Sequence, residues 1–336
     1  MRNTTRTFAL TFLSFACVVC SLGTLPSCST ASAVPPDAPP DASTVPKNPA
    51  GAFSVTSSLD FQSVPPPAQA LLDELAAATD DPDDPALYLC QRLIAELPPE
   101  YQAVASAAAD IVAPYLESKL DSFAPSFASG IRALAAGLAD AMHHMRTFET
   151  LAIEPSGYAT RTITGVSLAG ASIDFASDSL PDAIASTTVA LDTQGNLQIA
   201  PHVIALPYGK VIRLAFDRQV IPNVAIDAAD LGGALADLVD CTKLGSMLSS
   251  ELGVGSAALY QAACASAMSA LATDVYEQLA AIDATPFDLS GAGAAIGVDD
   301  NADGAMDAIA DGTWTGNTTY GSIAMPLIGA TFTGTR

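Results

Sequence analysis

The sequence predicts an α+β protein with a mostly helical body, an antiparallel β segment and a small C-terminal β tail. Two observations support this prediction. Leucine and alanine recur at a helical period through residues 68–152 and 227–283. Threonine- and valine-rich stretches of alternating polarity occupy residues 158–200 and the segment after Phe287. Half of the 336 residues are apolar, which is enough to build a packed core.

Composition divides the chain into four parts. Residues 1–27 are expected to be a signal peptide, and residues 28–67 are rich in proline and alanine, which is typical of an extended tether. Residues 68–285 are expected to form the helical body with the β segment 158–200 inserted, and residues 286–336 the β tail. Phe53 to Phe61 alternate in polarity and favour an early strand within the tether range.

The N-terminal segment carries a targeting signal. Arg2 and Arg6 precede an apolar run over residues 8–25, and Leu25-Pro26-Ser27-Cys28 follows. This tetrapeptide resembles the lipobox of bacterial lipoproteins. The resemblance implies that Cys28 is acylated, that the remaining chain is exported to the cell envelope and held there by lipid, and that Ser29 directs it to the outer membrane. An ordinary cleaved signal and a transmembrane anchor remain as alternatives.

The charge balance excludes one class of partner. The net charge is −23, with 13 Lys and Arg against 36 Asp and Glu, and no basic stripe offsets it. Such a surface repels nucleic-acid phosphates. We therefore expect no nucleic-acid partner. The membrane is expected as a partner through the lipid anchor, and a protein or hydrophobic small molecule remains open.

The first helical region is divided by proline. Helices are expected over residues 68–78 and 85–97, with a turn of Asp and Pro between them. A third helix from Pro99 is expected to kink or end at Pro114. A fourth is expected to start at Pro125 and to run through Met145 and Phe148.

The β segment shows a bulge and a hairpin. The polarity pattern shifts at Gly165, which predicts a β-bulge. Residues 189–191 and 197–199 share parity across Asp192-Thr193-Gln194-Gly195-Asn196, which predicts a hairpin. A helix over residues 208–219 is expected next, and His202 is interpreted as a hydrogen-bonded structural residue.

A helical hairpin predicts one disulfide. Two leucine-rich stripes meet at Gly253 and Gly255, where the chain can reverse direction. In antiparallel helices Cys241 and Cys264 then come level to within about one turn. An exported chain lies in an oxidising compartment, where this pair can form a disulfide. Apart from Cys28, Cys90 is then the one cysteine of the exported chain outside this pair.

One loop carries a metal-ligand pattern. Residues 299–307 match the spacing D-x-[DN]-x-[DN]-G with a further Asp at the ninth position. The loop resembles the calcium loops of EF-hands and dockerin-type repeats, but position twelve is Ala310 and the flanks favour strands. The resemblance implies a structural Ca²⁺ site with the following ligands: Asp299, Asn301, Asp303, Ala305, Asp307 and Asp311.

The function classes follow from these patterns. A noncatalytic structural or binding lipoprotein is the leading expectation, and a carrier of lipid or another hydrophobic ligand is the alternative. A serine hydrolase is a second alternative, because Gly165-Val166-Ser167-Leu168-Ala169 partly resembles a nucleophile elbow. His143 and His144 are adjacent, which is not the spacing of a helical metal pair.

Overall fold

The computed structural model describes residues 45–77, 85–253 and 255–336. The described residues, from 45 onward, belong to one compact unit. The signal peptide and the lipidation of Cys28 lie outside the described residues. None of the helices within the described ranges has the length and apolar character needed to cross a bilayer.

Strands run through the described chain from its beginning to its end. In order they are β1 Gly51–Phe61, β2 His144–Ile153, β3 Tyr158–Leu168, β4 Ala171–Asp174, β5 Ala183–Leu191, β6 Asn196–Leu206, β7 Phe287–Val298, β8 Ala308–Tyr320 and β9 Ile323–Thr335. Each neighbouring pair of these strands is antiparallel.

Eight of these strands close into a barrel. The pairing order is β1, β2, β3, β5, β6, β7, β8, β9 and back to β1, and β4 is the extra strand beside the end of β3. The expectation of a helical body with a small β tail is therefore wrong. The inserted β segment and the β tail are parts of the same closed sheet, which also includes β1 from the range assigned to the tether.

Two helical insertions leave the barrel from the same end. Between β1 and β2 lie α1 Pro66–Ala77, α2 Pro85–Ala95, α3 Pro99–Glu117, α4 Leu120–Phe123 and α5 Phe127–His143. Between β6 and β7 lie α6 Tyr208–Ala215, a π-helical turn Phe216–Val220, α7 Ile221–Val224, α8 Leu231–Leu238, α9 Cys241–Leu252 and α10 Ala257–Ile282. Because neighbouring strands alternate in direction, β1 and β6 both finish at this end. We call it the helical end, and its helices the helical cap.

The opposite end of the barrel, the turn end, is closed by short connections. The β2–β3, β5–β6 and β7–β8 connections lie there, together with the start of β1 and the finish of β9. The predicted hairpin is confirmed as β5–β6, with Val189 opposite Ile199. The predicted bulge is confirmed in β3, where the register against β2 shifts next to Gly165.

Three helices of the second insertion begin at a side-chain cap. The side chains of Asp230, Asp240 and Ser256 accept N–H bonds in the first turns of α8, α9 and α10. Gly253 has φ of 64° at the end of α9, which favours glycine. α3 continues through Pro114. α5 ends at His143, and the residues expected to extend it form β2 instead.

An aromatic cluster seals the helical end of the barrel. The Tyr208 and Phe287 rings stack with centroids 4.2 Å apart, and the Phe61 ring lies edge-on to both. The Tyr208 hydroxyl donates to the Met142 carbonyl at 2.6 Å. Alternate residues of each strand point inward and fill the interior, as expected of an eight-stranded barrel.

Candidate functional site

The loop of residues 299–307 joins β7 to β8 at the turn end. Its side chains accept hydrogen bonds from its own backbone: Asp299 Oδ2 from Gly304 N at 2.9 Å, and Asn301 Oδ1 from Asp303 N at 2.9 Å. Asp303 Oδ1 accepts from Ala305 N at 2.7 Å, and Asp307 Oδ2 accepts from Asp300 N at 3.1 Å. These bonds fold the loop into a succession of Asx turns.

The same loop holds the segment that leads into β1. The Gly304 carbonyl accepts from Lys47 N at 2.9 Å and from Asn48 N at 3.0 Å. Met306 N donates to the Asn48 carbonyl at 3.0 Å, and the Met306 side chain is fully buried. The loop therefore fixes the position at which the chain joins the barrel.

The calcium ligands of the sequence prediction are only partly gathered. Asp299 is buried, and Asp300, Asn301 and Asp303 are exposed. Asp311 lies outside the loop on β8 with φ of 52°. Across the described ranges, no group of three or more His, Cys, Asp or Glu side chains is arranged to hold a metal ion. Calcium binding by this loop stays a prediction.

A second polar cluster, which the sequence reasoning missed, lies inside the barrel. Arg161 on β3 donates from Nε to Glu149 Oε2 at 2.6 Å and from Nη2 to Glu149 Oε1 at 2.7 Å. Ser57 Oγ donates to Glu149 Oε1 at 2.9 Å, and the Thr147 hydroxyl donates to the same oxygen. The Arg161 and Glu149 side chains are 2% and 1% exposed. Two charges this deeply buried require such hydrogen bonds to offset their lost hydration.

His202 and Trp314 complete the buried cluster. Arg161 Nη1 donates to His202 Nε2 at 3.1 Å, while His202 Nδ1 donates to the Ala200 carbonyl at 2.9 Å. The Arg161 guanidinium lies 4.2 Å from the centre of the Trp314 ring, whose Nε1 donates to Ser57 Oγ at 3.0 Å. The interpretation of His202 as a hydrogen-bonded structural residue agrees with these contacts.

The cluster controls the ionisation of its own members. Burial raises the pKa of the Glu149 carboxyl, whereas the Arg161 charge and the donated hydrogen bonds lower it, and the net pKa lies below the ordinary value. Burial is also the largest cause of the lowered pKa of His202. These side chains point into the barrel interior, away from solvent, so the cluster acts as a structural tie between strands.

A sequence signal for this cluster exists. Glu149 shares strand parity with the apolar Leu151 and Ile153, and Arg161 shares it with Ala159 and Ile163. A charged residue on the apolar face of a predicted strand indicates a buried pair. Within β2 that signal was hidden, because the first half of the strand also fits a helical period.

The helical cap contains an open cleft beside the disulfide. Cys241 and Cys264 form a disulfide with their Cα atoms 5.6 Å apart, which confirms the predicted pairing. Cys90 is buried and takes no part in this disulfide. The bond joins α9 to α10. The adjacent cleft has a volume of about 860 Å³, and its lining includes Asp121, Ala236, Asp237, Lys243, Ala265 and Met268.

The carrier alternative gains no support from the pocket between α2, α3, α9 and α10. That pocket is apolar, but its volume is about 20 Å³. Such a space holds about one water-sized probe. Tyr260 and Leu252 are among the side chains that close it. A lipid chain does not fit there in this conformation.

Comparisons with protein-family models, with curated proteins and with solved structures found no match to this chain.

Proposed function

We propose that this chain is a lipid-anchored binding protein of the bacterial cell envelope, held at the outer membrane through Cys28. The barrel is its rigid base, and the helical cap is its binding surface. One observation supports this arrangement above others: the chain joins the barrel at the turn end, and both helical insertions leave from the helical end. An anchor that precedes β1 then attaches to the end opposite the cap.

The contacts at the turn end suit a chain that is held from its N-terminal side. The backbone of Lys47 and Asn48 is bonded to Gly304 and Met306 across the β7–β8 loop. These hydrogen bonds attach the segment that follows the anchor to the closed sheet. A calcium ion in the 299–307 loop would strengthen this junction by neutralising its carboxylates.

The cleft beside the disulfide is the part of the cap best suited to binding. Apolar and charged side chains converge there, as in most ligand sites, and the Cys241–Cys264 bond limits the movement of its wall. The rest of the cap is built on helices that pack their apolar faces into one core. The partner is a protein or a small molecule that combines polar and apolar groups.

The anchor is tested by metabolic labelling with a clickable fatty acid. Wild type is expected to carry the label and to sediment with membranes, whereas Cys28→Ser is expected to do neither. Labelling of both proteins to the same extent would contradict acylation at Cys28.

The binding surface is tested by photo-cross-linking in cells that make the protein. A photoreactive residue at Ala236, an exposed position in the cleft, is expected to give a discrete adduct. The control position is Ser186, which is exposed on the outside of β5. Equal adducts at both positions, or an adduct at Ser186 alone, would contradict the assignment of the cap as the binding surface.

A further inference from the structure

A shallow pocket on the outer wall of the barrel gathers four kinds of reactive side chain. It has a volume of about 270 Å³ and lies next to the end of α5. Its lining includes Ser58, Asp60, His144, Arg146 and Ser167. Asp140 also lines it, so two carboxylates, an imidazole, a guanidinium and two hydroxyls face one space, on a different surface from the cleft of the helical cap.

Asp60 and His144 are already paired as an acid and a base. They lie directly opposite each other on β1 and β2, and His144 Nδ1 is 2.8 Å from Asp60 Oδ1. A carboxylate on Nδ1 fixes the tautomer in which Nε2 accepts a proton. The His144 side chain is 63% exposed and the Asp60 side chain 56%, so a substrate has access to the imidazole.

The strand register places Ser167 beside this pair. Ser167 lies opposite Arg146 on β2, and His144 is two residues away on the same face of that strand. Diagonal neighbours of this kind have Cα atoms roughly 7–8 Å apart, within reach of a long side chain such as histidine. Two residues after Ser167 comes the tight turn of Ala169 and Gly170, with φ of 47° and 86°, which fixes the end of β3.

We propose that Ser167, His144 and Asp60 form a second functional site that hydrolyses small carboxylic esters. Ser167 is the nucleophile and His144 the general base, while Asp60 is a positioning residue that acts through His144. Arg146, the cross-strand neighbour of Ser167, supplies positive charge to the oxyanion. The shallow pocket suits a short acyl group. This inference goes beyond the proposed binding function and does not depend on it.

The reaction balances without any further reactant except water. Ser167 Oγ attacks the ester carbonyl carbon as His144 Nε2 takes the hydroxyl proton. The carbon–oxygen bond to the alcohol then breaks, and His144 gives its proton to the leaving alkoxide. Water attacks the resulting acyl-serine and passes a proton to His144. The acyl–Oγ bond breaks, the carboxylic acid leaves, and Ser167 recovers its proton.

The test uses purified full-length protein with p-nitrophenyl acetate and a fluorophosphonate probe. Wild type is expected to release nitrophenol and to carry one phosphonate on the peptide that contains Ser167. Ser167→Ala and His144→Gln are expected to lower kcat at least about 100-fold and to abolish the adduct. Ser186→Ala, which changes an exposed serine on the outside of β5 and away from this pocket, is expected to behave as wild type.

Asp60 is tested through the kinetic constant that it affects. Asp60→Asn is expected to lower kcat and to leave KM unchanged, and Asp60→Glu is expected to restore part of kcat. A phosphonate adduct on a different serine, or wild-type turnover in Ser167→Ala, would overturn the proposal. Turnover lost in His144→Gln but kept in Ser167→Ala would assign it to the imidazole alone and would also overturn it. The melting temperature of each variant identifies any that fail to fold.

Discussion

At the scale of residues, the buried Glu149–Arg161 pair connects strands of the barrel. Glu149 is on β2 and Arg161 is on β3. Ser57 on β1 donates to Glu149, His202 on β6 accepts from Arg161, and the Trp314 ring on β8 lies against the Arg161 guanidinium. Five of the eight barrel strands therefore meet at one charged pair. Removing one partner leaves the other charge buried and uncompensated, which costs far more than losing an exposed pair.

The first prediction compares this pair with an exposed one. Arg161→Met is expected to lower the free energy of unfolding by about 3–5 kcal/mol. Lys243→Met, which breaks the exposed pair with Asp240, is expected to change it far less, because solvent screens that pair. Denaturant titrations of both variants measure the difference. Equal effects would show that the buried cluster does not hold the strands together.

A second prediction concerns the pH dependence of stability and rests on His202. Burial lowers the pKa of His202 from its model-compound value of 6.5. The unfolded chain therefore binds a proton that the folded chain excludes, and stability falls as the pH drops from 6.5 through the lowered pKa. His202→Gln is expected to reduce the loss of unfolding free energy between pH 7.5 and 5.5.

The control for this prediction is His144→Gln, an exposed histidine outside the buried cluster. Glu149 adds a separate loss at more acidic pH, because its lowered pKa lies under the ordinary carboxyl value of 4.5. If His202→Gln and wild type lose the same unfolding free energy between pH 7.5 and 5.5, His202 does not carry the effect.

At the scale of elements, short-range spacing predicts structure correctly, whereas an apolar pattern that fits both a helix and a strand does not. The α9–α10 disulfide and the β5–β6 hairpin follow from spacing within about 25 residues. β2 was missed because Met145 and Phe148 extend the apolar stripe of α5 at helical spacing, although the same residues also fit a strand. Strand pairing decides between the two, and that information lies elsewhere in the chain.

The loop of residues 299–307 gives a third prediction. Millimolar calcium is expected to raise the melting temperature relative to EDTA, because an ion that binds only the folded state stabilises it. Asp303→Ala is expected to abolish this shift. Asp192→Ala, in the β5–β6 turn at the same end of the barrel, is expected to retain it. The same melting curve for wild type in calcium and in EDTA would contradict calcium binding by this loop.

At the scale of the whole molecule, closure of the barrel could not be predicted from local patterns. β1 and β9 are the first and last strands within the described residues, and both helical insertions separate them. Glycine, alanine and threonine fill much of β7 to β9, so their alternation of polarity is weak. The serine-hydrolase alternative meets the same difficulty: the sequence motif contains Ser167, but only strand pairing brings Asp60 and His144 beside it.

The pairing of β1 with β9 closes the sheet into a barrel. β1 thereby lies between β2 and β9, with its start and the finish of β9 together at the turn end. Thr56 lies opposite Thr333 in this register, whereas Thr331 lies opposite Ser58.

The most direct test is a disulfide trap across β1 and β9 in otherwise wild-type protein. Thr56→Cys with Thr333→Cys is expected to form a cross-link that peptide mapping finds under non-reducing conditions, while Cys241–Cys264 stays intact. Thr56→Cys with Thr331→Cys, displaced by two residues, is expected to form much less. A cross-link at Thr56 and Thr333 with little at Thr331 is the result of a closed barrel in this register. Absence of the first cross-link, or equal yields of both, would contradict it.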